Sequence, residues 1–236
     1  MRGAVHALLV AGLGAVMLAG LLALPAPGAP DAPAQTHVSA DYIAGGAETG
    51  GASNLVTAVL LNYRALDTFG EVAVIFSAWM AVAVVLAATV AEAPRRAHDP
   101  APLPPSPVTG LIVRLLAPFI AAFAAFVMVS GAELPGGGFQ GGVVLGAMLV
   151  LLSVALGRDP VDRMFRPGAW RGLRAIAPLT FTATAAVGLV ATGWWFGLQA
   201  GDALRHALML LLEVAIGLGG AAVLGGIFLA LSAEPE

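Results

Sequence analysis

The sequence predicts an all-α integral membrane protein: about six transmembrane helices with one short amphipathic helix. Three observations carry this reading. The chain is 59% hydrophobic and only 11% charged, whereas a soluble domain is about one quarter charged. Its mean hydropathy is +0.91, so polar surface is too scarce to wrap a water-soluble globule. The apolar residues form continuous runs rather than the alternation of a barrel strand, and 236 residues leave room for about six spans of ~20 residues with short loops. Cysteine is absent, which excludes disulfides, Cys-ligated zinc and iron–sulfur sites within this chain. Every one of the 11 basic residues is Arg, the net charge is −3, and no basic patch is interleaved with aromatics, so nucleic acid is not an expected partner.

The first apolar run covers residues 5–24, behind Arg2, and ends in a Pro-rich stretch at 24–30. Its length favours an uncleaved span over a cleavable signal peptide. Residues 31–48 are polar and read as an outside loop. Residues 51–64 read as a half-buried amphipathic helix, with Asn54, Thr57 or Ala58, and Leu61 at helical spacing. Asp67 or Thr68 then offers a cap for a span over 69–90, with Glu71 near its start. Pro94, Arg95 and Arg96 lead into a Pro-rich linker, the clearest internal boundary. Further spans are expected at 108–130, 139–156, 175–196 and 205–231, with Trp194 and Trp195 as an aromatic interface anchor. The expected division is therefore 1–93, two spans and the short helix; 94–107, a cytoplasmic linker; and 108–236, four spans. Gly217, Ala221 and Gly225, like Gly142 and Gly146, recur every four residues, the spacing that lets helices approach closely.

Arginine placement sets an orientation. With alternating spans and a cytoplasmic N-terminus, the inside segments hold Arg2, Arg95, Arg96, Arg158, Arg163, Arg166, Arg171 and Arg174, with Arg114 near an inner end. Arg64 and Arg205 remain outside. That bias puts both termini in the cytoplasm.

Ionisable groups inside spans are costly and are functional candidates by default. Glu71, in D-T-F-G-E, and Glu213, in L-L-L-E-V-A-I-G, stand out. The plainer readings are a helix-start charge for Glu71 and, for Glu213, a carboxylate satisfied by a neighbouring polypeptide. Glu133 and His206 lie near outer span ends, where an interface role competes, and Arg64 with Asp67 reads as a local ion pair. All six fall in the outer half of the expected topology and could contribute to a hydrated ion route. Between two spans, S-G-A-E-L-P-G-G-G-F-Q-G-G forms a rigid turn, because Pro135 and Gly136, Gly137 and Gly138 cannot continue a helix before Phe139 and Gln140 open the next run. No nucleophile elbow, phosphate loop or metal-spaced His pair is present, so neither catalytic residues nor a metal or other cofactor are expected.

The string P-G-G-G-F-Q-G-G resembles the signature of the MnhB/MrpB family, one of the membrane components of Mrp-type multisubunit Na+/H+ antiporters. The same module is found in the membrane arms of energy-converting hydrogenases. The likeness extends over 108–232 and includes E-V-A-I-G-L-G-G in the last span. Where that family has a His just before the turn, this chain reads Gly131-Ala132-Glu133, so a proton role for that His does not carry over. Upstream, N-L-V-T-A-V-L-L-N-Y-R-A-L-D-T-F-G-E resembles the C-terminal portion of the large MrpA component, or the small MbhE component of membrane-bound hydrogenases, with Asn62 where the family often has Asp. The resemblance implies a fusion of the two modules, and a role in ion transport for Glu71. It implies a non-catalytic component that works beside the A-, C- and D-type subunits and the small E-, F- and G-type subunits, in the bacterial inner membrane, with Na+ and H+ as the transported ions. A membrane-arm component of a hydrogenase-like redox complex and a purely structural adaptor are the competing expectations.

Overall fold

The computed structural model describes residues 2–92, 106–157, 167–197 and 201–231. Their regular structure is helical throughout. Six of the helices are long and apolar enough to cross a bilayer: those over Gly3–Leu22, Ala65–Leu86, Pro107–Val129, Gly138–Leu156, Gly172–Thr192 and Asp202–Leu231. The chain divides into two compact units, Met1–Ala44 and Gly45–Glu236.

The first unit holds α1 (Arg2–Leu22), the single turn α2 (Pro33–Thr36) and the opening of α3 (Val38–Gly50). The loop expected at 31–48 is thus largely helical. Pro33 sits at a first helical position, where its missing N–H costs nothing, and α3 kinks where Gly46 adopts a positive φ of 34°.

In the second unit the helix expected over 51–64 is broken into two pieces. Asn54 caps α4 (Leu55–Ala58), its side chain accepting from the Val56 N–H. A π-helical segment, Val59–Tyr63, follows, closed by the Arg64 N–H on the Val59 carbonyl at 2.8 Å. Single π turns of this kind are frequent at functional sites. Helix α5 then runs Ala65–Glu92. It starts before Asp67 and Thr68, so neither caps it. Thr68 instead donates to the Leu60 carbonyl at 2.7 Å, satisfying an acceptor that the wide turn leaves over.

The remaining spans are α6 (Pro107–Val129), α7 (Gly138–Leu156), α8 (Pro167–Thr192) and α9 (Asp202–Leu231). Helix α9 is the hub, packing against α5, α6, α7 and α8. Two cores result. One joins Leu61, Val72, Phe181, Met209, Leu212 and Ile216. The other joins Val113, Met148, Leu149, Leu152 and Leu229. Phe69, Phe181 and Phe196 form an aromatic cluster with ring centroids 6.0–6.3 Å apart, and this packing holds Phe196 at φ 57°, a conformation costly for a bulky residue.

Of the arginines used for orientation, Arg95, Arg96, Arg158, Arg163 and Arg166 lie outside the described residues, as do residues 94–105 of the expected linker. Arg174, expected in a cytoplasmic segment, lies in α8 within the candidate span Gly172–Thr192. Its Nε donates to the Ala222 carbonyl of α9 at 3.2 Å, and its guanidinium sits 3.8 Å from the Trp79 ring centroid.

The small residues act where α7 meets α9. A Cβ on Gly142 would fall 2.8 Å from the Gly217 carbonyl oxygen, and backbone cannot yield as a side chain can. Gly142→Ala is therefore expected to force α7 off α9 and to cost about 1–3 kcal/mol. A lowered thermal midpoint of the detergent-solubilised protein, with Gly12→Ala unchanged as control because its Cβ meets nothing, checks this.

A buried carboxylate at a broken helix start

The turn after α6 folds back on that helix, with the Gly137 N–H donating to the Val127 carbonyl at 3.0 Å. Gly136 and Gly137 hold φ of 155° and 128°, values open essentially to glycine alone. The turn delivers the start of α7 to the flank of α9 at Glu213. The carboxylate of Glu213 is buried, with 5% of the residue exposed. Its Oε2 accepts from the Gly138 backbone N–H, one of the orphan donors that every helix start leaves. The positive end of the α7 dipole faces the same oxygen. Glycine is required here, since a Cβ at Gly137 would meet the carboxylate oxygens at 3.0 and 3.1 Å.

The other oxygen, Oε1, lies 3.2 Å from the Thr57 hydroxyl of α4. That hydroxyl also lies 2.6 Å from the Gly131 carbonyl. Asn54 completes the clamp: the two hydrogens of its Nδ2 are shared among the carbonyls of Gly131 (2.8 Å) and Leu134 (2.9 Å) and Thr57 Oγ1 (3.2 Å). The Asn54 N–H donates to the Ala132 carbonyl at 3.0 Å.

A hydroxyl has one hydrogen, so Thr57 satisfies either Gly131 or Glu213. With its hydrogen on Gly131, its lone pairs face Oε1 and suit a protonated carboxyl that donates. With its hydrogen turned to Oε1, it serves an ionised carboxylate, and Asn54 alone holds Gly131. The site thus accommodates both protonation states by one hydroxyl rotation, without moving a heavy atom. The nitrogen donors aimed into it suit a carboxyl that gains and loses a proton better than a metal cation.

Of the six candidate ionisable residues, Glu213 alone is buried among the described residues. Arg64 and Asp67 form the expected i,i+3 ion pair, exposed on both sides, worth little in water. Glu71, Glu133 and His206 are exposed on the isolated chain, and the bonds that hold Glu213 come from Thr57 and Gly138 instead. Arg205, also assigned to the outside, pairs with Asp202 at 2.6 Å. Pro135, Gly136, Gly137 and Gly138 make the turn, and Phe139 and Gln140 line a small void beside Glu213. Asn54 and Thr57 were legible only as positions on a helix face. The signal that finds them is the polar pair N-x-x-T inside an apolar stretch, since polar atoms at that depth need partners.

A family model described as a domain related to the MnhB subunit of Na+/H+ antiporters matches residues 108–230. A second, MbhE, described as the E subunit of MBH, matches residues 6–96. A probable K(+)/H(+) antiporter A/B subunit of Rhizobium meliloti (strain 1021) is 27% identical over 170 residues, 63% of this chain and 16% of that protein. The chain therefore corresponds to about a sixth of that relative's length. A chain of the membrane-bound sulfane sulfur reductase, an archaeal respiratory membrane complex, superposes with a TM-score of 0.70 at 27% identity, over 97% of this chain and 99% of its own. A chain of the Mrp complex from Dietzia sp. DQ12-45-1b gives a TM-score of 0.67 at 25% identity, over 98% of this chain and 25% of its own.

Removing Asn54's amide strands the Gly131 and Leu134 carbonyls, each at about 1–3 kcal/mol if left unsatisfied. Asn54→Ala is expected to loosen the α4–turn junction, seen as faster amide exchange at Val56, Gly137 and Gly138, while exchange along α7 beyond Gly146 stays as in the wild type.

Proposed function

This chain belongs to the family defined by the domain related to the MnhB subunit of Na+/H+ antiporters, and on that premise we propose that it is an integral membrane component of a multisubunit cation/proton antiporter. It contributes to the ion path and to assembly and makes or breaks no covalent bonds in a substrate. The observation that carries the reading is the family match over 108–230 together with a carboxylate inside that region, buried against the N-terminal motif. Burying a carboxylate in a membrane protein is expensive. One that can change protonation within an intact hydrogen-bond set is suited to coupling proton movement to a partner's cation.

The division into an MrpA-terminal or MbhE-like module (1–93), a linker (94–107) and an MnhB-like module (108–236) is part of the proposal, supported by the two family matches on either side. The other polypeptides of the antiporter pack on the exposed apolar faces, and the exposed Glu71 on α5 faces one of them. The protein resides in the bacterial inner membrane with both termini cytoplasmic. Its cargo is a monovalent cation exchanged for protons: the matching family's description names Na+ and the Rhizobium relative's names K(+).

A second reading is favoured by one observation. The chain of the respiratory reductase complex is matched almost end to end, whereas the Mrp chain is matched over a quarter of its length. A redox-driven complex thus holds a chain of the same extent, which suits a membrane-arm component of such a complex. Mass spectrometry of the complex purified through this chain separates the two: large antiporter subunits alone support the antiporter, and hydrogenase-like redox subunits support the alternative.

The functional test is cation-dependent proton movement in inverted vesicles that hold the whole complex, with assembly checked on a blue-native gel. Glu213→Gln keeps an acceptor for Gly138 and can donate to Thr57, so it assembles. It cannot exchange a proton, and transport is expected to fall at least about a hundredfold, the order of effect of removing a proton-transfer group. Glu71→Gln is expected to lower transport with assembly intact. Full transport in both variants reduces this chain to a structural adaptor.

A further inference from the structure

Two small voids lie end to end along α9 and share two residues. The first, about 10 Å³, is lined by Thr57, Gly137, Gln140 and Glu213, with Phe139 and Ile216 also in its wall. It has room for about one water and supplies polar partners. The second, about 20 Å³, lies between α5, α8 and α9, lined by Val72, Arg174, Pro178 and Gly219, with the same Phe139 and Ile216 in its wall. Glu213 and Ala222, whose carbonyl holds Arg174, are nine residues apart on one helix, about 13 Å at the helical rise. Polar groups therefore stand at both ends of the pair of voids, and two apolar side chains separate them.

We propose that Phe139 and Ile216 form a hydrophobic gate in a proton route through this chain, running from Glu213 towards Arg174; this rests on the reading of the chain as an ion-translocating component. With the gate shut, the middle of the route is dry, and a dry apolar constriction stops proton and ion flow alike. The walls permit opening. Phe139 is the second residue of α7, directly after the glycine turn, and is only partly buried. Pro178 in α8 cannot donate to the Arg174 carbonyl, which weakens that helix beside the second void. When Phe139 moves off Ile216 the voids join and fill with water. The Glu213 carboxylic acid then gives its proton to the first water, leaving a carboxylate on the Gly138 N–H and the Thr57 hydroxyl. The hydronium so formed passes its charge along the file by bond exchange, the proton leaves to bulk water past Arg174 near the start of α8, and Glu213 regains a proton from water at its own end. Arg174 keeps its own protons, so it orders the last water without relaying.

The test is the decay of an imposed pH gradient in vesicles holding the whole complex, with no sodium or potassium added. Phe139→Ala is expected to collapse the gradient about tenfold faster than wild type, as a wetted constriction would, and Glu213→Gln in the same background to restore the wild-type rate. Should Phe139→Ala fail to assemble, Ile216→Ala opens the same gate from α9 and is read against the same expectation. An assembled gate variant that holds its gradient like wild type overturns the gate, as does a leak indifferent to Glu213→Gln. If Glu213→Gln abolishes antiport while neither gate variant leaks, the gate falls and the transport reading stands.

Discussion

The second unit depends on one hydrogen-bonded junction: the Glu213 carboxylate between the Gly138 N–H and the Thr57 hydroxyl. It answers three problems at once. The start of α7 needs an acceptor for its orphan donors, Glu213 needs compensation for burial, and the Gly131 carbonyl, left over by the turn, needs a donor, which Asn54 supplies whichever way the Thr57 hydroxyl turns. Each group is expensive alone in an apolar setting. Together they close, and the glycines at 131, 137 and 138 are what let the chains come near enough. Helix α9 then becomes the hub because it carries the carboxylate at one level and glycines facing α6 and α8 at the levels below.

Much of this was legible in the sequence because bilayers impose simple rules. Length and apolarity located all six spans, with ends shifted by a few residues. The Pro-Gly string announced a turn, and Glu213 stood out as a charge in an apolar run. What stayed hidden depends on three-dimensional closure. The helix expected at 51–64 became a short α-turn and a π turn, because Asn54 and Thr68 find backbone partners outside a regular helix. The polar stretch at 31–48 gave no apolar period, yet most of it is helical. Arg174 ends a run of loop arginines in the sequence, yet it belongs to the span because Trp79 and the Ala222 carbonyl, both distant in the chain, receive it.

The candidate ionisable residues divide along the same line. Glu213 is satisfied within the chain, whereas Glu71, Glu133 and His206 face outward. Outward charges on a membrane protein are tolerable where another polypeptide or water meets them. The family to which it belongs is one of multisubunit machines, and the chain's own polar chemistry is concentrated where its two sequence motifs meet.

That meeting place bears on how such chains are encoded. Asn54 and Thr57 precede the linker and Gly131, Leu134 and Glu213 follow it, yet they bind one another directly, and α5 packs on both α8 and α9. A covalent connection between the two sides supplies effective concentration, a contribution that changes only slowly with its length. Two separate polypeptides carrying these residues would have to find each other through the same bonds without that effective concentration. Carrying both sides on one chain thus makes the junction independent of how much of each part the cell holds, whereas separate synthesis would tie it to their concentrations.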